Sequence, residues 1–432
     1  MNPTMTRRSL TLLPLAAFGA PLLPTRLELD VYIQKFEKAL LTNILPFWLS
    51  NTMDAPGGYQ LNHDVEGKSK GPGVRMIVTQ ARMLWFYSRL ARFGHEPKKM
   101  LEAAEHGYQF LREKMWDSKH GGFFWELDAK GQPTKVNKHL YGQSFGIYAL
   151  AEYAMASRRK EPLEFAMKFF ELLEKKSHDP VHGGYVEYFL RDWSTPPVNE
   201  PIYIGGSAAG MKLMNTHLHL MEAMTALYQA SKNATVADRV SELIAIETNA
   251  IVRKQYMACT DKYDRDWSPR LEGEFARVSY GHDLENIWLV TDAARTISFP
   301  SSPFVDFFRA NFAYCRKYGF DEQSGGFFNT GEFNQPASDR SKVWWVQAEA
   351  LVSALTMYQI TSNTEYFEVF RKTWDFCEKH QIDWKNGDWH AAIAPDGTPQ
   401  GDKASPWKAA YHNGRAMIES LARLRAIKEK TS

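Results

Sequence analysis

The segment Asp117-Ser118-Lys119-His120-Gly121-Gly122-Phe123 contains the pattern that determines the fold. It joins an acid, a few polar residues, a Gly-Gly pair and an aromatic residue, and variants of it recur at 54–59, 179–185, 321–327 and 383–389. The leading acids of the five copies lie 63, 62, 142 and 62 residues apart. Since 142 is about twice the period, we expect a degenerate copy near Asp261. The sequence therefore predicts six units of about 60–70 residues each.

Each unit combines a turn with helical sequence. The Gly-Gly pair allows the positive φ angles of a tight turn, and flanking aromatics such as those at 123–125 favour a short β-hairpin. Apolar residues at i, i+3 and i+4 predict helices around 81–90, 144–155, 218–230, 284–294 and 348–358. Six helical hairpins closed in a ring give an all-α (α/α)6 barrel, which we predict as a single domain over residues 28–428, with the hairpin loops at one mouth. An open solenoid is the alternative, but it needs polar capping repeats, and neither end shows a plain one.

The first 24 residues differ from the rest. Arg7 and Arg8 precede an apolar run over 10–23 that is too short for a comfortable membrane span. Residues 1–24 therefore resemble a secretory signal of the twin-arginine type. We expect a periplasmic or secreted protein with no membrane contact after processing, and the alternative is a cytoplasmic protein.

Composition excludes several classes of function. Among 432 residues, 52 Lys and Arg balance 50 Asp and Glu, so no basic surplus points to nucleic acid. The three cysteines are far apart and form no CxxC pair, which argues against a zinc ribbon or a disulfide framework. Aromatic residues make up 13% of the chain, which suits a sugar site lined with rings.

Residues suited to catalysis recur at a similar offset after the leading acids. In a closed ring, residues at the same position of each repeat lie in the same part of the barrel. We therefore expect these side chains to converge on the central cavity. In the third unit, the inserted loop 199–210 places two of these residues, Asn215 and His219, later in the sequence than the usual offset. The set consists of Arg82, Tyr141, Asn215, His219, His282, Trp345 and Trp407.

Three histidines are the candidate acid–base groups. His219 shares a helix face with Asn215 and Glu222, whereas His217 points elsewhere and is expected to lie behind the site. A metal site formed by His217 and His219 is an alternative. His282 shares a face with Glu285, and we expect that carboxylate to orient the imidazole and raise its pKa. His412 follows Trp407 by five residues. For each histidine, the alternative is an imidazole that caps or packs in a helix.

Cofactor motifs are absent from the sequence. It contains no Walker P-loop, no GxGxxG after a strand and no HExxH helix. Histidines, an arginine and a pair of tryptophans without a cofactor motif predict proton transfer on a small polar substrate, with neither cofactor nor metal.

Six motifs in order resemble those of the N-acylglucosamine 2-epimerase family, and most closely its cellobiose 2-epimerase branch. They span residues 79–85, 138–145, 214–219, 279–285, 343–350 and 407–416. The resemblance implies an (α/α)6 barrel that interconverts aldoses with their C2 epimers, or with ketoses, without a cofactor. It implies that His282 and His412 move the C2 proton, that His219 supports ring opening, and that Arg82 contacts the sugar. Inversion at C2 requires a cis-enediolate, and Arg82, a fixed cation, is suited to stabilise the developing oxyanion. The resemblance further implies sugar contacts from Tyr141, Asn215, Glu285, Trp345 and Trp407. Gln80, Val346 and loop 199–210 depart from the family pattern and leave the identity of the sugar open.

Other activities remain as alternatives. The chain could act as a mannose isomerase-type aldose–ketose isomerase or an N-acylglucosamine 2-epimerase, as a monomer or a homodimer. A glycoside hydrolase needs paired carboxylates, for which Asp283, Glu285 and Glu349 are the candidates, and helical spacing turns Asp283 away from the cavity. A sugar-binding module without catalysis would not need three histidines in phase.

We predict that activity does not depend on metal. Dialysis against a chelator should leave the rate of sugar conversion unchanged, because proton transfer by imidazoles needs no Lewis acid. The measurement is the conversion rate before and after chelation, with elemental analysis of the dialysed protein as control. A loss of activity that added zinc restores would instead assign His217 and His219 to a metal.

Overall fold

The computed structural model describes residues 23–54, 57–197, 200–204 and 211–431. Most of the predicted signal segment 1–24 and part of the predicted inserted loop 199–210 lie outside the described residues.

Helices alternate between an outer layer and an inner ring. In chain order they are α1 (Arg26–Lys38), a π-helical turn (Ala39–Ile44), α2 (Leu45–Asn51), α3 (Ile77–Phe93), α4 (Pro97–Phe110), α5 (Leu140–Ser157), α6 (Lys160–Lys176), α7 (Met214–Ser231), α8 (Ala234–Ala245), α9 (Tyr280–Thr296), α10 (Val305–Gly319), α11 (Trp344–Thr361), α12 (Thr364–Phe376) and α13 (His412–Lys430). The odd-numbered helices from α3 to α13 each contact the next, and α13 contacts α3, which closes a ring of six. The predicted (α/α)6 barrel is confirmed.

Burial distinguishes the two layers. The inner helix α5 is buried on every side from Leu140 to Ala154, because neighbouring helices surround it. The outer helix α6 buries a single stripe that includes Ala166, Phe169 and Leu173, and it leaves its charged face to solvent. Arg26 of α1 donates a hydrogen bond to the Thr431 carbonyl at 2.9 Å, so α1 meets the end of α13. Within the described part of the chain, no helix has both the length and the apolar character needed to cross a bilayer.

The strands are short and lie at the mouth of the barrel where the inner helices begin. They are β1 (Arg75–Met76), β2 (Glu126–Leu127), β3 (Pro133–Lys135), β4 (Lys138–His139), β5 (Tyr188–Phe189), β6 (Lys212–Leu213), β7 (Val252–Arg253), β8 (Ala258–Cys259), β9 (Lys262–Tyr263), β10 (Arg277–Ser279), β11 (Thr330–Glu332), β12 (Lys342–Val343), β13 (Ala392–Ile393) and β14 (Pro399–Gln400). All pairings are antiparallel, and the strand before an inner helix pairs with a strand of the next hairpin, as β1 does with β2.

The leading acid of the repeat holds the Gly-Gly turn together. Gly121 and Gly122 have φ angles of 72° and 75°, as the sequence predicts, and a Cβ on Gly122 would lie 2.6 Å from the Trp193 ring. Asp117 accepts backbone hydrogen bonds from the turn and pairs with the buried Lys138 ammonium at 3.1 Å. The same pairing recurs in Asp179–Lys212, Asp321–Lys342 and Asp383–Lys403.

A side chain at the start of each inner helix anchors the preceding turn. The Gln143 amide accepts a hydrogen bond from the Phe123 N–H at 2.8 Å and donates one to the Phe123 carbonyl at 2.9 Å. Gln80 and Gln347 bond Tyr59 and Phe327 in the same way, whereas His217 and Asp283 each accept from one backbone N–H. The sixth anchor, Asn413, bonds the Asp388 side chain. His217 is thus an anchor behind the site, at the place expected from helical spacing.

The fourth unit lies in a different register from the one predicted. Its turn connects β7 to β8 and ends at Cys259, whose N–H bonds the Asp283 anchor at 3.1 Å. The degenerate copy therefore lies at 252–259 and not near Asp261. The turn has neither a Gly-Gly pair nor a leading acid, so a search for those residues has nothing to match.

Loss of one anchor should destabilise the barrel. In a Gln143→Leu variant, the buried N–H and C=O of Phe123 lose their partners, and each such group costs about 1–3 kcal/mol. We expect the free energy of unfolding, measured by urea denaturation, to fall by at least about 2 kcal/mol. Gln109→Leu is the matched control, because among the described residues the Gln109 amide bonds only the Glu105 side chain of its own helix. Equal stability of the two variants would show that the anchor contributes little.

Candidate active site

One helical position in each unit faces the centre of the ring. The residue two positions after each anchor lies on the inward side of its helix, where it contacts residues of neighbouring helices. These six residues are Arg82, Phe145, His219, Glu285, Glu349 and Arg415. The anchors fix their backbones, so the repeat places six side chains of four chemical types around one axis.

Arg82, Tyr141 and Trp407 form one wall of the cavity. An Arg82 guanidinium N–H donates to the Tyr141 hydroxyl at 3.1 Å, and the guanidinium lies over the Phe145 ring at 4.3 Å. The Asn215 side chain also lies beside the Tyr141 hydroxyl. Trp407 lies in the loop before α13, 45% exposed, with its ring 6.5 Å from that of Tyr141. The spacing of the repeat predicts that Trp407 occupies the same helical position as the other site residues. In the structure it lies outside the helix, at the mouth of the cavity.

The floor of the cavity is an ionic network around Arg415. This guanidinium is 1% exposed and donates to Glu222, to Glu285 and, at 2.8 Å, to Glu349. The Tyr411 hydroxyl donates to Glu222 at 2.5 Å. A single buried cation therefore serves three buried carboxylates.

The position of each carboxyl group in this network sets its protonation. Burial alone would raise the pKa of Glu222, but the Arg415 charge and the hydrogen bond with His219 outweigh it and lower that pKa to about 2. Burial and the neighbouring Glu349 raise the pKa of Glu285 to about 7. Burial also raises the pKa of Glu349. The floor therefore holds a proton near neutral pH.

His282 and His412 flank a single indole. The ring centroid of Trp345 lies 4.7 Å from that of His282 and 5.7 Å from that of His412, so the two imidazoles are separated by no more than the sum of these distances. His412 Nδ1 lies 2.7 Å from a Glu349 oxygen. Burial and neighbouring cations lower the pKa of His282 to about 3 and that of His412 well below its usual value. Both imidazoles are thus neutral bases at neutral pH.

The expected pairing of His282 with Glu285 is wrong. Glu285 bonds Arg415, and burial lowers the pKa of His282 where the i, i+3 spacing predicted a rise. The carboxylates that do meet imidazoles are Glu222, whose oxygen lies 3.1 Å from His219 Nδ1, and Glu349 beside His412.

Several polar atoms in the cavity have free hydrogen-bonding capacity. Arg82 Nε, Asn215 Oδ1 and Glu285 Oε2 are buried and bond no other described residue. Glu285, Glu349 and His412 are close enough to hold a metal ion, but Arg415 already supplies a cation to both carboxylates.

The structure brings the predicted site residues into one connected cluster, and it adds residues that sequence reasoning missed. Arg415 and Phe145 were not singled out, and Glu349 was considered only as a hydrolase carboxylate. The signal that could have found all three is their position two residues after the anchor of each repeat.

Comparisons with known proteins agree with this geometry. The chain is 32% identical to a cellobiose 2-epimerase of Ruminococcus albus over 90% of this chain and 98% of the relative. It is 34% identical to the solved cellobiose 2-epimerase of Spirochaeta thermophila, with a TM-score of 0.84 over 93% of this chain and 98% of that one. A D-mannose isomerase of Marinomonas mediterranea is 24% identical over 90% of this chain and 97% of the relative.

The barrel, its histidine-bearing cavity and these relatives define an isomerase of the sugar epimerase class. A model of the N-acylglucosamine 2-epimerase family matches residues 57–416. The chain belongs to that family.

Removal of the floor cation should destabilise the protein in a pH-dependent way. Arg415→Met leaves buried carboxyls without their counter-charge, which costs about 3–5 kcal/mol. Without the cation the pKa of Glu222 rises from its lowered value, and those of Glu285 and Glu349 rise further above their unfolded values. The folded state then binds more protons, and stability falls more steeply between pH 5 and pH 8 than in the wild type.

The measurement is urea denaturation at both pH values. Arg423→Met is the control, because Arg423 is also buried on α13 but pairs with the partly exposed Asp292 and Glu419. A pH slope equal in the two variants would contradict the proposed charge balance of the floor.

Proposed function

We propose that the protein is a cofactor-independent 2-epimerase that inverts C2 of a reducing-end glucose or mannose unit in a β-1,4-linked disaccharide. The observation that supports this most directly is the placement of His282 and His412 against the one indole of Trp345. A sugar ring packed against that indole lies within reach of both imidazoles. Inversion at carbon needs a base on one face and an acid on the other, and two imidazoles supply both.

The two histidines have different surroundings, which suit one to accept a proton and the other to donate one at the start of the reaction. No carboxylate among the described residues pairs with His282, so it stays neutral and can accept the C2 proton. His412 and Glu349 share a short hydrogen bond, and burial raises the pKa of the Glu349 carboxyl, so this pair can hold one proton. That proton passes through the imidazole to the opposite face of C2. In the reverse direction the roles of donor and acceptor exchange.

The remaining side chains suit the other requirements of the reaction. The ring must open before C2 becomes acidic, and His219, held by Glu222, is the group that can move a proton for this step. When the C2 proton leaves, the C–H electrons form the enediolate and negative charge develops on the C1 oxygen. Arg82, fixed between the Phe145 and Tyr411 rings, is a permanent cation suited to stabilise it.

Aldose–ketose isomerisation is the second candidate, and the similarity to D-mannose isomerases favours it. The same enediolate forms, but the proton returns to C1 and gives a ketose. This reaction can proceed with one base on one face, so it needs only one of the two histidines. The product separates the two activities.

Deuterium incorporation tests the proposed roles of the histidines. In D₂O, wild-type product should carry deuterium at C2, because the returned proton comes from an exchanged base. His282→Asn and His412→Asn should each reduce epimerisation by at least about 100-fold, since one of two opposed acid–base groups is lost. One variant should still exchange C2 hydrogen without inversion, and it identifies the face that the remaining histidine serves.

His182→Asn, on an exposed histidine in a turn, is the control and should keep full activity. Products are resolved by NMR with cellobiose, lactose, mannobiose, mannose, glucose and N-acetylglucosamine as substrates. Near-normal epimerisation in both histidine variants, or no deuterium at C2, would exclude proton transfer through this pair. A ketose as the main product would establish the second candidate.

A further inference from the structure

The insert 199–210 lies between β5 and β6, so it belongs to the same mouth of the barrel as the hairpin loops. Its described part contacts the segment that leads into α5 at two points. The Asn137 N–H donates to the Tyr203 hydroxyl at 3.3 Å, and His139 Nε2 lies 3.4 Å from the Ile204 carbonyl oxygen. This part of the insert is therefore fastened beside the first turn of α5.

Tyr203 packs its ring on a buried tryptophan of the mouth. The ring centroids of Tyr203 and Trp125 lie 5.2 Å apart, with an interplanar angle of 34°. Trp125 is buried, and its centroid lies 6.2 Å from that of Trp407. Aromatic rings at such distances attract one another and hold each other in place. Trp125 is thus the common neighbour of the insert and of the tryptophan at the mouth of the candidate active site.

Trp407 needs such a neighbour because it lies in a loop. Its ring is 45% exposed, and its backbone carbonyl accepts a hydrogen bond from Arg82 at 3.5 Å. The exposed part of the indole offers an apolar face to the C–H groups of a sugar. A side chain that becomes ordered only when the ligand binds lowers the affinity, so a ring held in advance binds more tightly.

The place of Trp407 decides which sugar unit it can contact. In the proposed reaction, the reacting unit packs against Trp345 with its C2 between His282 and His412. Trp407 lies farther out, at the mouth. C4 is the ring position farthest from C1, so a β-1,4-linked second unit extends away from the reacting end of the sugar and toward the mouth. Trp407 is therefore placed for the second unit.

We propose that Tyr203 is a positioning residue that determines specificity for a disaccharide. Through Trp125 it holds the Trp407 indole where the non-reducing unit of a β-1,4-linked disaccharide packs. Tyr203 touches no reacting atom, so it sets the affinity for the disaccharide and leaves the chemical step unchanged. This inference rests on the proposed function, which places the reacting unit.

The test compares a disaccharide with a monosaccharide in the full chain. With cellobiose, Tyr203→Ala should raise KM about fivefold, the equivalent of one ring contact, and leave kcat within about twofold. With mannose, both constants should stay at their wild-type values, because a single unit does not extend to Trp407. Tyr203→Phe keeps the ring and should behave as the wild type with both sugars. A variant with a weakened fold would instead change the constants for both sugars alike.

Tyr358→Ala is the matched control. This partly buried ring lies near the end of α11 away from the mouth, 5.3 Å from the Phe367 ring, and its loss should leave both KM values unchanged. An unchanged ratio of the cellobiose KM to the mannose KM in Tyr203→Ala would overturn the inference and leave the epimerase valid. Conversion of mannose without conversion of cellobiose would also overturn it. Tyr203→Leu replaces Tyr203→Ala, with the same expected ratio, if the alanine variant does not fold.

A binding measurement separates this inference from the proposed function. Cellobiitol, the reduced disaccharide, has no carbonyl group and cannot be epimerised, so calorimetric titration reports its affinity without turnover. Tyr203→Ala should bind cellobiitol about fivefold more weakly than the wild type and Tyr203→Phe do. If the protein converts no sugar, the epimerase is excluded, and this difference in affinity would still support the role of Tyr203. Equal affinities, or no binding to the wild type, would overturn that role.

Discussion

The hydrogen bond between the start of each inner helix and the turn that precedes it is the constraint on which the site depends. A buried amide such as that of Gln143 satisfies both backbone groups of the turn aromatic and sets where the helix begins. Because the helix is rigid, the side chain two residues later then has a fixed height and direction. The side chains in the cavity are thus positioned by backbone hydrogen bonds at its rim, and the residues that we propose to be catalytic need no contact with the anchors.

Electrostatics provides the second level of order. Arg415 is the common partner of Glu222, Glu285 and Glu349, which come from three other inner helices. Their unequal distances and hydrogen bonds give one carboxyl a lowered pKa and two a raised pKa within one network. Because the pKa values differ, the same buried cluster provides two kinds of carboxyl group. Glu222 is an ionised carboxylate beside His219, and Glu349 is a carboxyl beside His412 that can carry a proton.

Much of the fold and part of the site could be predicted from sequence because the repeat is local. The Gly-Gly turns, the helical periodicity and the phase of residues such as Arg82 and His219 can all be recognised within one unit. The fourth unit was placed wrongly because its turn has lost the residues that define the motif. Arg415 was missed because its role arises only when helices far apart in sequence meet. For His282, spacing along one helix indicates which residues are neighbours. The direction in which its pKa shifts is set by burial from all sides, which that spacing does not show.

The hydrogen bond between Arg26 and the carbonyl of Thr431 has a topological consequence. In a closed ring of equivalent units, no unit has to come first, and here the ends of the described fold meet at the surface. A short linker could join them, and the chain could be opened at another turn, without breaking any contact within the ring. A circular permutant opened at an exposed outer loop would keep all six anchors and the Arg415 network. The order of the units along the gene is thus separable from their order around the cavity.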